Sequence, residues 1–546
     1  MTTVTPIEAA LEVECADDVA WSDAADVVIV GWGAAGACAA IEARAAGASV
    51  LVIDRFAGGG ASALSGGVVY AGGGTRYQHQ AGYVDTPEAM GEYLQHGVGD
   101  AVRPSTLERF CRNSVANLEW LEAQGARFGA TMPQHKTSYP RDGEYLYHSG
   151  NELVPACRGE WEPAARGHRT VGSGQSGAAL YAVLRAATLR AGAHALTQAA
   201  VRRLVRERAS GRVVGVEAWA LPDGDARTRR HAQLQRWITR WRNLLPRRVE
   251  AWRAEAARIE RDAARPHLIR ARRGVVLATG GFVHNAQMLA EHAPQARDGW
   301  RIGTAGCDGS GIRLGLSVGA QAGRLANVSA WRFIVPPSVW PKAMVVNARG
   351  ERFCNEEVYG ARLGHEIVER QGGRAWLVMD ARLRRAAIRQ CLFGGLWAFQ
   401  ALPALAMMLF SAQRAPSIAA LATRIGVQPM QLVRHWEAYN AAARGERNDE
   451  FGKSRGMRQV LQHAPFYAMS LSIGEPMLPL PILTLGGLRV NEDDGHVIDA
   501  QGRDIAGLFA AGRTAIGLPS SHYVSGLSLA DCVFSGRRAG RAAAMA

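Results

Sequence analysis

Apolar strand patterns open the first structural unit of the chain. Residues 27–30 are all β-branched, and they are followed by a glycine-rich turn, an alanine-rich stretch of helical composition and a second apolar run at 50–53. Short continuous apolar runs are typical of strands that are buried on both faces. The succession therefore predicts a βαβ unit with two parallel strands.

Later segments repeat this strand-then-glycine pattern. A helix is predicted over 176–191, paired strands over 201–204 and 213–218, and further strands at 275–278, 488–490, 497–499 and 507–510. We expect the later strands to join the first sheet, so that the C-terminus returns to the first domain. The fold class is then α/β, with a discontinuous Rossmann-like domain (24–324 and 473–546), an N-terminal tail (1–23) and an inserted α+β cap domain (325–472).

The turn after the first strand has the glycine spacing of a dinucleotide-binding site. Gly31 would make the tight turn, Gly33 would let a pyrophosphate approach the backbone, and Gly36 would let helix and strand pack closely. Asp54, at the end of the second strand, would accept hydrogen bonds from a ribose. The glycine-rich residues 58–74 suit close wrapping around a flat ring and its phosphates, although a flexible linker is the simpler alternative.

Composition narrows the class of protein. The chain has 546 residues, 48% of them hydrophobic, which is ordinary for a folded protein of two or three domains. Its eight cysteines form no Cys-x-x-Cys pair, so neither an iron–sulfur cluster nor a zinc site is indicated, and no metal is expected. The acidic N-terminus lacks a signal-peptide pattern, which favours the cytoplasm.

Two segments stand out from this background. Residues 227–273 hold fifteen arginines and four acids, so most of the +14 net charge lies there, and binding of nucleic acid by the whole surface is not expected. We predict an Arg-rich helical insertion over 227–273. Its part at 234–264 contains tryptophans and a break at Pro246, and it could lie on an anionic membrane surface or be a solvated hairpin or an oligomer contact.

The second segment, residues 391–412, carries no charge. Glycines and Pro403 interrupt it, so a helix that spans a membrane is not expected. The segment could instead be a portal for a lipophilic substrate, a part of the cap that enters the membrane interface, or part of the cap core.

Five motifs together carry a resemblance to a known family. They are Val-Leu-Ala-Thr-Gly-Gly-Phe at 276–282, Asp-Gly-Ser-Gly at 308–311, Asn-Ala-Arg-Gly-Glu-Arg-Phe-Cys-Asn-Glu at 347–356, Thr-Leu-Gly-Gly at 484–487 and Gly-Leu-Phe-Ala-Ala-Gly-Arg at 507–513. In this order they resemble the fumarate reductase and ketosteroid dehydrogenase flavoprotein superfamily. The resemblance implies FAD, held non-covalently because no histidine occurs at 61–67. The cofactor-binding residues that the βαβ unit and the resemblance imply are Gly31, Gly33, Ala35, Gly36, Asp54, Arg55, Ser62, Ser65, Gly66, Gly67, Thr279, Gly280, Asp308, Gly512, Arg513, Ser528 and Leu529.

The resemblance also points to one branch of the superfamily. Dicarboxylate reductases have a histidine where this chain has Leu483, which disfavours a fumarate-type substrate. Residues 521–531 are similar to the ketosteroid Δ4-(5α)-dehydrogenases, in which a Tyr-x-Ser pair faces the flavin; here the pair is Tyr523 and Ser525. Tyr359 is the candidate for a second hydroxyl from the cap. The amides around Gly526 or Gly517 are the candidates for polarising the ketone oxygen.

Dehydrogenation beside a ketone fits these residues. The reaction needs a base for the α-proton, here Tyr523, and a hydride acceptor, which flavin N5 provides. A helix predicted over 526–541 would present its positive end to Tyr523 and favour the phenolate. The prediction is an FAD-dependent oxidoreductase of steroid metabolism that dehydrogenates a 3-ketosteroid and passes electrons to an external acceptor such as a quinone. It would reside in the cytoplasm, with peripheral contact to the inner face of the membrane as an added possibility.

Alternatives stay open at this point. They are a ketosteroid Δ1-dehydrogenase, a reductase of another α,β-unsaturated carbonyl compound, and a non-enzymatic, membrane-associated flavin electron carrier in which Tyr523 would have no role.

Overall fold

The predicted βαβ unit is present in the computed structural model, which describes residues 3–242 and 244–546. Strand Asp23–Val30 runs parallel to strand Val50–Asp54, and helix Ala34–Ala45 connects them. Val27, Val28 and Ile29 are completely buried. Burial of consecutive side chains is what a strand covered on both faces requires, and it explains the unbroken apolar run.

A nine-stranded sheet is the centre of what we call the main domain. Seven strands lie in the order Leu11–Val13, Ala199–Glu207, Val213–Ala220, Arg265–Leu277, Asp23–Val30, Val50–Asp54 and His194–Thr197. Strand Asp504–Ala510 pairs with Arg265–Leu277, and His496–Ile498 pairs with Asp504–Ala510. The sequence correctly predicted the pairing of 201–204 with 213–218 and the return of the C-terminal strand to this sheet.

The last helix of the chain packs against the first. Helix Leu527–Met545 crosses helix Ala34–Ala45 closely enough that a Cβ added to Gly536 would lie 2.5 Å from the carbonyl oxygen of Ala35. Glycines in this helix therefore permit direct backbone contact. The packing places the middle of the last helix beside the start of the first helix, and it places the N-terminus of the last helix beside strand Val68–Tyr70.

Smaller sheets and helices complete the main domain. One sheet contains Val68–Tyr70, Gly167–Arg169 and Leu146–Tyr147, another contains Trp300–Arg301, Pro481–Thr484 and Val328–Ala330, and Ala322–Gly323 pairs with Gly487–Leu488. The helices are Gly60–Ala63, Arg76–Gln80, Pro87–Val98, Pro104–Arg112, Ser114–Gln124, Pro155–Arg158, Gly177–Arg190, Ala286–His292 and Ser310–Leu316.

The inserted part has a sheet and an apolar core of its own. Its antiparallel strands lie in the order Met344–Asn347, Ala375–Met379, Phe466–Ser470 and Gln413–Ala415. Its helices are Gly360–His365, Ala381–Phe393, Ala398–Ala406, Ile418–Ile425 and Pro429–Arg444. The separate core extends from Ile334 to Leu471, whereas Trp331 and Tyr359 pack with the core of the main domain. Tyr359 thus lies where the two parts meet.

The Arg-rich segment is helical only in part. It forms helices Ala226–Trp241 and Pro246–Ala263, so the predicted break at Pro246 is confirmed, but residues 265–273 belong to strand Arg265–Leu277. The predicted helical insertion over 227–273 is therefore wrong in its last part. Ile269 and Ala271 are buried between more exposed arginines, and this two-residue alternation suits a strand.

The N-terminal residues pack on the main sheet, although the sequence suggested a tail. Leu11–Val13 forms an edge strand parallel to Ala199–Glu207. Nearer the start of the chain, the amide and hydroxyl of Thr5 donate to the carboxylate of Asp308 at 2.7 and 2.6 Å. Across 3–242 and 244–546, every helix is too short or too polar to cross a membrane.

Candidate active site

The predicted dinucleotide turn has the geometry that a pyrophosphate needs. Gly31 has φ +102°, and a Cβ there would lie 2.6 Å from the carbonyl oxygen of Ala278, so the turn passes directly over the neighbouring strand. A Cβ at Gly36 would overlap the carbonyl of Gly31. A Cβ at Gly33, in contrast, would meet nothing nearer than 3.6 Å, so this glycine leaves space at the N-terminus of the first helix. Ala35 lies in the first turn of that helix, where amide groups attract phosphate charge.

Asp54 ends the second strand and shapes the backbone around this space. Its carboxylate accepts hydrogen bonds from the amides of Trp32 at 2.8 Å, Phe56 at 2.8 Å and Gly58 at 3.2 Å. Carboxylate oxygens have further lone pairs, which a ribose can use. Asp54 therefore organises both flanking turns and keeps acceptor capacity for a nucleotide.

Arg55 and Asp308 are already engaged with other parts of the chain. We call helices Ala226–Trp241 and Pro246–Ala263 the Arg-rich hairpin. Arg55 forms ion pairs with Glu260 of this hairpin at 2.8 Å and with Asp308 at 3.0 Å. Asp308 also accepts the hydrogen bonds from Thr5. The two residues predicted to bind the cofactor thus fix the segment after Asp54 between the hairpin and the N-terminus, and their contact with a cofactor stays a prediction.

The glycine-rich loop is held in place by hydroxyl groups. Ser62 accepts a hydrogen bond from the amide of Ala34 at 3.1 Å, and Ser65 accepts one from Gly67 at 3.1 Å. The hydroxyl of Tyr139 donates to the carbonyl of Gly66 at 2.9 Å. The loop is therefore an ordered wall beside the dinucleotide turn rather than a linker.

Residues from three distant segments close the other side. The hydroxyl of Thr279 accepts from the amide of Gly311 at 2.9 Å, and the amide of Gly280 donates to Thr514 at 2.9 Å. Gly512 begins the short 3-10 turn that contains Arg513. Ser528 and Leu529 lie in the first turn of the last helix.

Arg513 provides a test of whether a cofactor fits. The residue is buried, and its Nη1 has no hydrogen-bond partner among the described residues. A buried guanidinium nitrogen without an acceptor is costly, so an acceptor group is expected there. Together with the open space at Gly33, this observation shows that the cradle suits a dinucleotide such as FAD.

A cluster of hydroxyl groups lies next to this cradle. Tyr523 and Ser525 precede the last helix, Tyr359 comes from the junction with the cap, and Tyr147 comes from strand Leu146–Tyr147. The Tyr147 hydroxyl lies 3.5 Å from the Ser525 hydroxyl, and burial raises the pKa of Tyr359 against a smaller lowering by the nearby Ser525 side chain. The structure therefore brings the predicted Tyr523, Ser525 and Tyr359 together and adds one tyrosine.

Tyr523 is held by aromatic packing and by the start of the helix. Its ring meets the Trp331 ring edge-to-face at 4.7 Å. Burial raises the pKa of its hydroxyl to about 12, although Arg513 and a hydrogen bond from the amide of Gly526 act in the opposite direction. The helix does begin where we predicted, but the net shift of the pKa is opposite to the predicted one, because loss of water contact outweighs the nearby amide and guanidinium.

The Gly526 amide lies beside the oxygen of Tyr523, and its hydrogen bond lowers the pKa of that hydroxyl against the larger effect of burial. Its predicted contact with a ketone oxygen stays a prediction. Gly526 itself has φ +85°, a left-handed conformation that glycine adopts without strain.

Tyr147 is the site residue that sequence reasoning missed. It lies in a strand of two residues and is separated from Ser525 by 378 positions. Burial raises the pKa of its hydroxyl well above the usual value. The only available signal was the aromatic pattern Tyr-Leu-Tyr at 145–147, which by itself is typical of a buried strand.

Comparison with known proteins agrees with this geometry. Residues 26–526 match the protein family described as FAD binding domain. The chain is 52% identical to the 3-oxo-5-alpha-steroid 4-dehydrogenase of Comamonas testosteroni over 94% of this chain and 97% of that protein. It is 27% identical to a 3-oxosteroid 1-dehydrogenase of Mycobacterium tuberculosis over 90% of this chain and 92% of that protein.

A solved structure is also similar to this chain over almost its whole length. The 3-ketosteroid-delta4-(5alpha)-dehydrogenase of Rhodococcus jostii RHA1, in complex with 4-androstene-3,17-dione, superposes with a TM-score of 0.80. The alignment covers 99% of this chain and 100% of that chain at 28% sequence identity.

Proposed function

Because this chain belongs to the FAD-binding flavoprotein family that includes the Comamonas testosteroni dehydrogenase, we propose that it dehydrogenates a 3-ketosteroid between carbons 4 and 5. It is an FAD-dependent oxidoreductase with a Rossmann-like fold. The proposal concerns its substrate, its site residues and its chemistry.

The observation that carries the proposal is the hydroxyl cluster. Tyr147, Tyr359, Tyr523 and Ser525 come from three separate parts of the chain, and they converge beside the dinucleotide cradle at the junction with the cap. Dehydrogenation beside a ketone needs a proton acceptor close to the hydride acceptor, and this arrangement provides one. A protein that only carries electrons does not need a proton acceptor at this position.

We assign proton abstraction to Tyr523. Its phenolate oxygen takes the proton from carbon 4, and the positive charge of Arg513 and the Gly526 amide stabilise that oxygen before the transfer. When bound, FAD supplies the acceptor for the hydride that leaves carbon 5. Because the pKa of Tyr523 is raised, the phenol must first lose its own proton, and Ser525 with its tyrosine neighbours provides the route by which that proton leaves to solvent water.

Tyr359 is the donor on the cap side. Burial raises the pKa of its hydroxyl well above the usual value, and electrostatic repulsion from Tyr523 and Tyr147 acts in the same direction. It therefore remains a neutral donor through the physiological pH range. A neutral donor suits a ketone oxygen, whose negative charge increases while the α-proton leaves.

The electrons then pass to an external acceptor, and we propose a quinone. The sequence contains two Gly-x-Gly-x-x-Gly runs, at 31–36 and at 172–177. Only the first lies between two parallel strands of one sheet, as a dinucleotide fingerprint requires, and FAD would use it; the second follows strand Gly167–Arg169 of a separate antiparallel sheet. Turnover with a soluble quinone but not with NAD⁺ is the expected outcome, measured by steady-state oxidation of a saturated 3-ketosteroid with each acceptor.

Anaerobic flavin bleaching tests the reaction directly. Purified flavin-loaded protein is mixed with a 5α-reduced 3-ketosteroid, with the corresponding 5β-reduced compound, and with NADH, and flavin absorbance is followed. We expect rapid bleaching with the 5α compound only. Bleaching by NADH at the same rate, or formation of a Δ1 rather than a Δ4 product, would contradict the proposal.

A further inference from the structure

The uncharged segment of the cap forms an exposed apolar surface. Leu392, Phe393, Phe399, Leu402, Leu409 and Phe410 are each more than half exposed, and we call these six residues the apolar cap surface. They lie on helix Ala381–Phe393, on helix Ala398–Ala406, which packs against it, and on the π-helical turn Met407–Ser411. A concentration of large apolar side chains in water marks an interaction site.

Arginines border this surface, and acids are absent from the segment that forms it. Residues 381–436 contain seven arginines and not a single aspartate or glutamate. Arg382, Arg385 and Arg389 are exposed, and none of them has an ion-pair partner among the described residues. At 100° per residue they share one helix face with Leu392 and Phe393, so basic and apolar groups point the same way.

The combination of exposed apolar side chains with unpaired arginines indicates which kind of partner this surface binds. A symmetric dimer built on this surface would bring two copies of the same positive patch together, and residues 381–436 contain no acid that could pair with the arginines. An anionic bilayer satisfies both groups, because phosphates lie at the level of the arginines and acyl chains lie beneath them. From these observations we propose that the apolar cap surface docks on a bilayer containing anionic phospholipid.

The Arg-rich hairpin is the rival surface, and its side chains are used differently. Trp237 and Trp252 pack against each other at 5.4 Å, and they adjoin the buried Leu234. Arg230 pairs across the hairpin with Glu255 at 2.8 Å. The aromatic and charged side chains of the hairpin therefore contact mainly each other, although Leu244 and Leu245 near its turn are exposed.

The apolar cap surface also adjoins the candidate active site. The indole nitrogen of Trp397 donates to the carbonyl of Pro140 at 3.2 Å, and the next residue back, Tyr139, donates to Gly66 of the cofactor loop. One layer of residues thus separates the docking surface from the cradle. If the proposed steroid substrate is correct, docking would place the site next to the phase in which that substrate dissolves; the docking itself does not depend on the reaction.

Vesicle flotation of the full-length, flavin-loaded protein tests the proposal. The vesicles consist of phosphatidylcholine alone or of phosphatidylcholine mixed with phosphatidylglycerol, at low and at high salt. We expect binding to the mixed vesicles, weaker binding at high salt and little binding to phosphatidylcholine alone. Replacing Arg382, Arg385 and Arg389 with glutamine should lower the partition coefficient by about 100-fold, at about fivefold for each arginine.

A second variant removes the apolar contribution. The substitutions Phe393→Ser, Phe399→Ser and Phe410→Ser should abolish flotation, while flavin content and melting temperature stay at the wild-type values because the three side chains are exposed. The matched controls are Arg236→Gln, Arg247→Gln and Arg248→Gln for charge, and Val84→Ser, Leu244→Ser and Leu245→Ser for exposed apolar groups.

Three results would overturn the proposal. The first is equal binding to both vesicle types, or none to either. The second is loss of binding in the hairpin controls but not in the cap variants. The third is a dimer in sedimentation velocity that the three serine substitutions dissociate, since a second copy would then cover the surface. Because none of these measurements involves a steroid, a result that refutes membrane docking leaves the proposed reaction untouched, and a result that refutes the reaction leaves docking untouched.

Discussion

Substitution of Tyr523 by phenylalanine is the sharpest test of the proposed chemistry. The change removes one oxygen and keeps the ring, so the edge-to-face contact with Trp331 at 4.7 Å is preserved. The fold loses one hydrogen bond with the Gly526 amide, which contributes about 0.5–1.5 kcal/mol to stability. Loss of the proton acceptor should lower the rate of flavin reduction by about 10²–10⁴-fold.

Stopped-flow measurement under anaerobic conditions separates these effects. A saturated 3-ketosteroid is mixed with wild-type and Tyr523→Phe protein, and the rate constant of bleaching and the substrate dependence are recorded. We expect the rate constant to fall while the half-saturating concentration changes little. Tyr467→Phe, a half-buried tyrosine on a cap strand, is the matched control and should react like the wild type.

The pH dependence adds a second constraint on the same residue. Burial raises the pKa of Tyr523 from its ordinary value of 10.0 to about 12, so the acidic form persists and only about one phenol in 10⁵ is ionised at pH 7. The reactive population then increases as the pH rises, and the rate of flavin reduction should increase without a plateau below about pH 10. A rate that falls less than fivefold in Tyr523→Phe, or a plateau near neutral pH in the wild type, would refute the assignment of Tyr523 as the proton acceptor.

Four further substitutions test other parts of the argument. Tyr147→Phe should lower the rate of flavin reduction by roughly tenfold in the same stopped-flow assay, because it removes one hydroxyl of a route that Ser525 still joins. Gly33→Ala should yield folded but colourless protein, seen as an unchanged circular dichroism spectrum without flavin absorbance, since its Cβ meets no protein atom within 3.5 Å but fills the pyrophosphate space. Glu260→Gln should weaken FAD retention in dialysis, since Arg55 then loses its 2.8 Å ion pair. Glu356→Gln should lower the free energy of unfolding by about 3 kcal/mol in urea titrations, because it breaks the buried ion pairs of Glu356 with Arg352 and Lys453. Burial alone would raise the pKa of Glu356, but these two cations lower it to about 2. The stability that this group gives the wild type is therefore present above about pH 4.5 and is lost as the pH falls toward 2.

The βαβ unit and the strands of the main sheet could be predicted because their signals are local. The apolar run at 27–30 and the glycine spacing after it each report on a few consecutive residues, and the structure has the corresponding elements. The strand at 265–273 was missed because its buried positions, Ile269 and Ala271, alternate with arginines that continue the composition of the preceding helix. Its pairing partners, Val213–Ala220 and Asp23–Val30, decide its structure, and they are distant in sequence.

The site itself depends even more on distant contacts. The family resemblance at 521–531 pointed to Tyr523 and Ser525, and the expectation of a second hydroxyl from the cap pointed to Tyr359, but nothing near Tyr147 in the sequence indicates that it meets Ser525. Engagement of Arg55 by Glu260 was equally invisible, because it depends on how the hairpin folds back over the sheet. Contacts between segments that are hundreds of residues apart follow from topology rather than from local composition.

The pKa of Tyr523 shows why position could be predicted and chemistry could not. The sequence places a helix N-terminus beside the tyrosine, and that feature acts in the predicted direction through the Gly526 amide. Burial acts in the opposite direction and is larger, because the ring packs against Trp331 and the core of the main domain. A base that is protonated at neutral pH must lose its proton before it can accept another, so the proposed reaction belongs to the whole hydroxyl cluster rather than to one tyrosine. Single substitutions within the cluster should therefore be strongly non-additive, and the double substitution of Tyr147 and Tyr523 should be hardly slower than Tyr523→Phe alone.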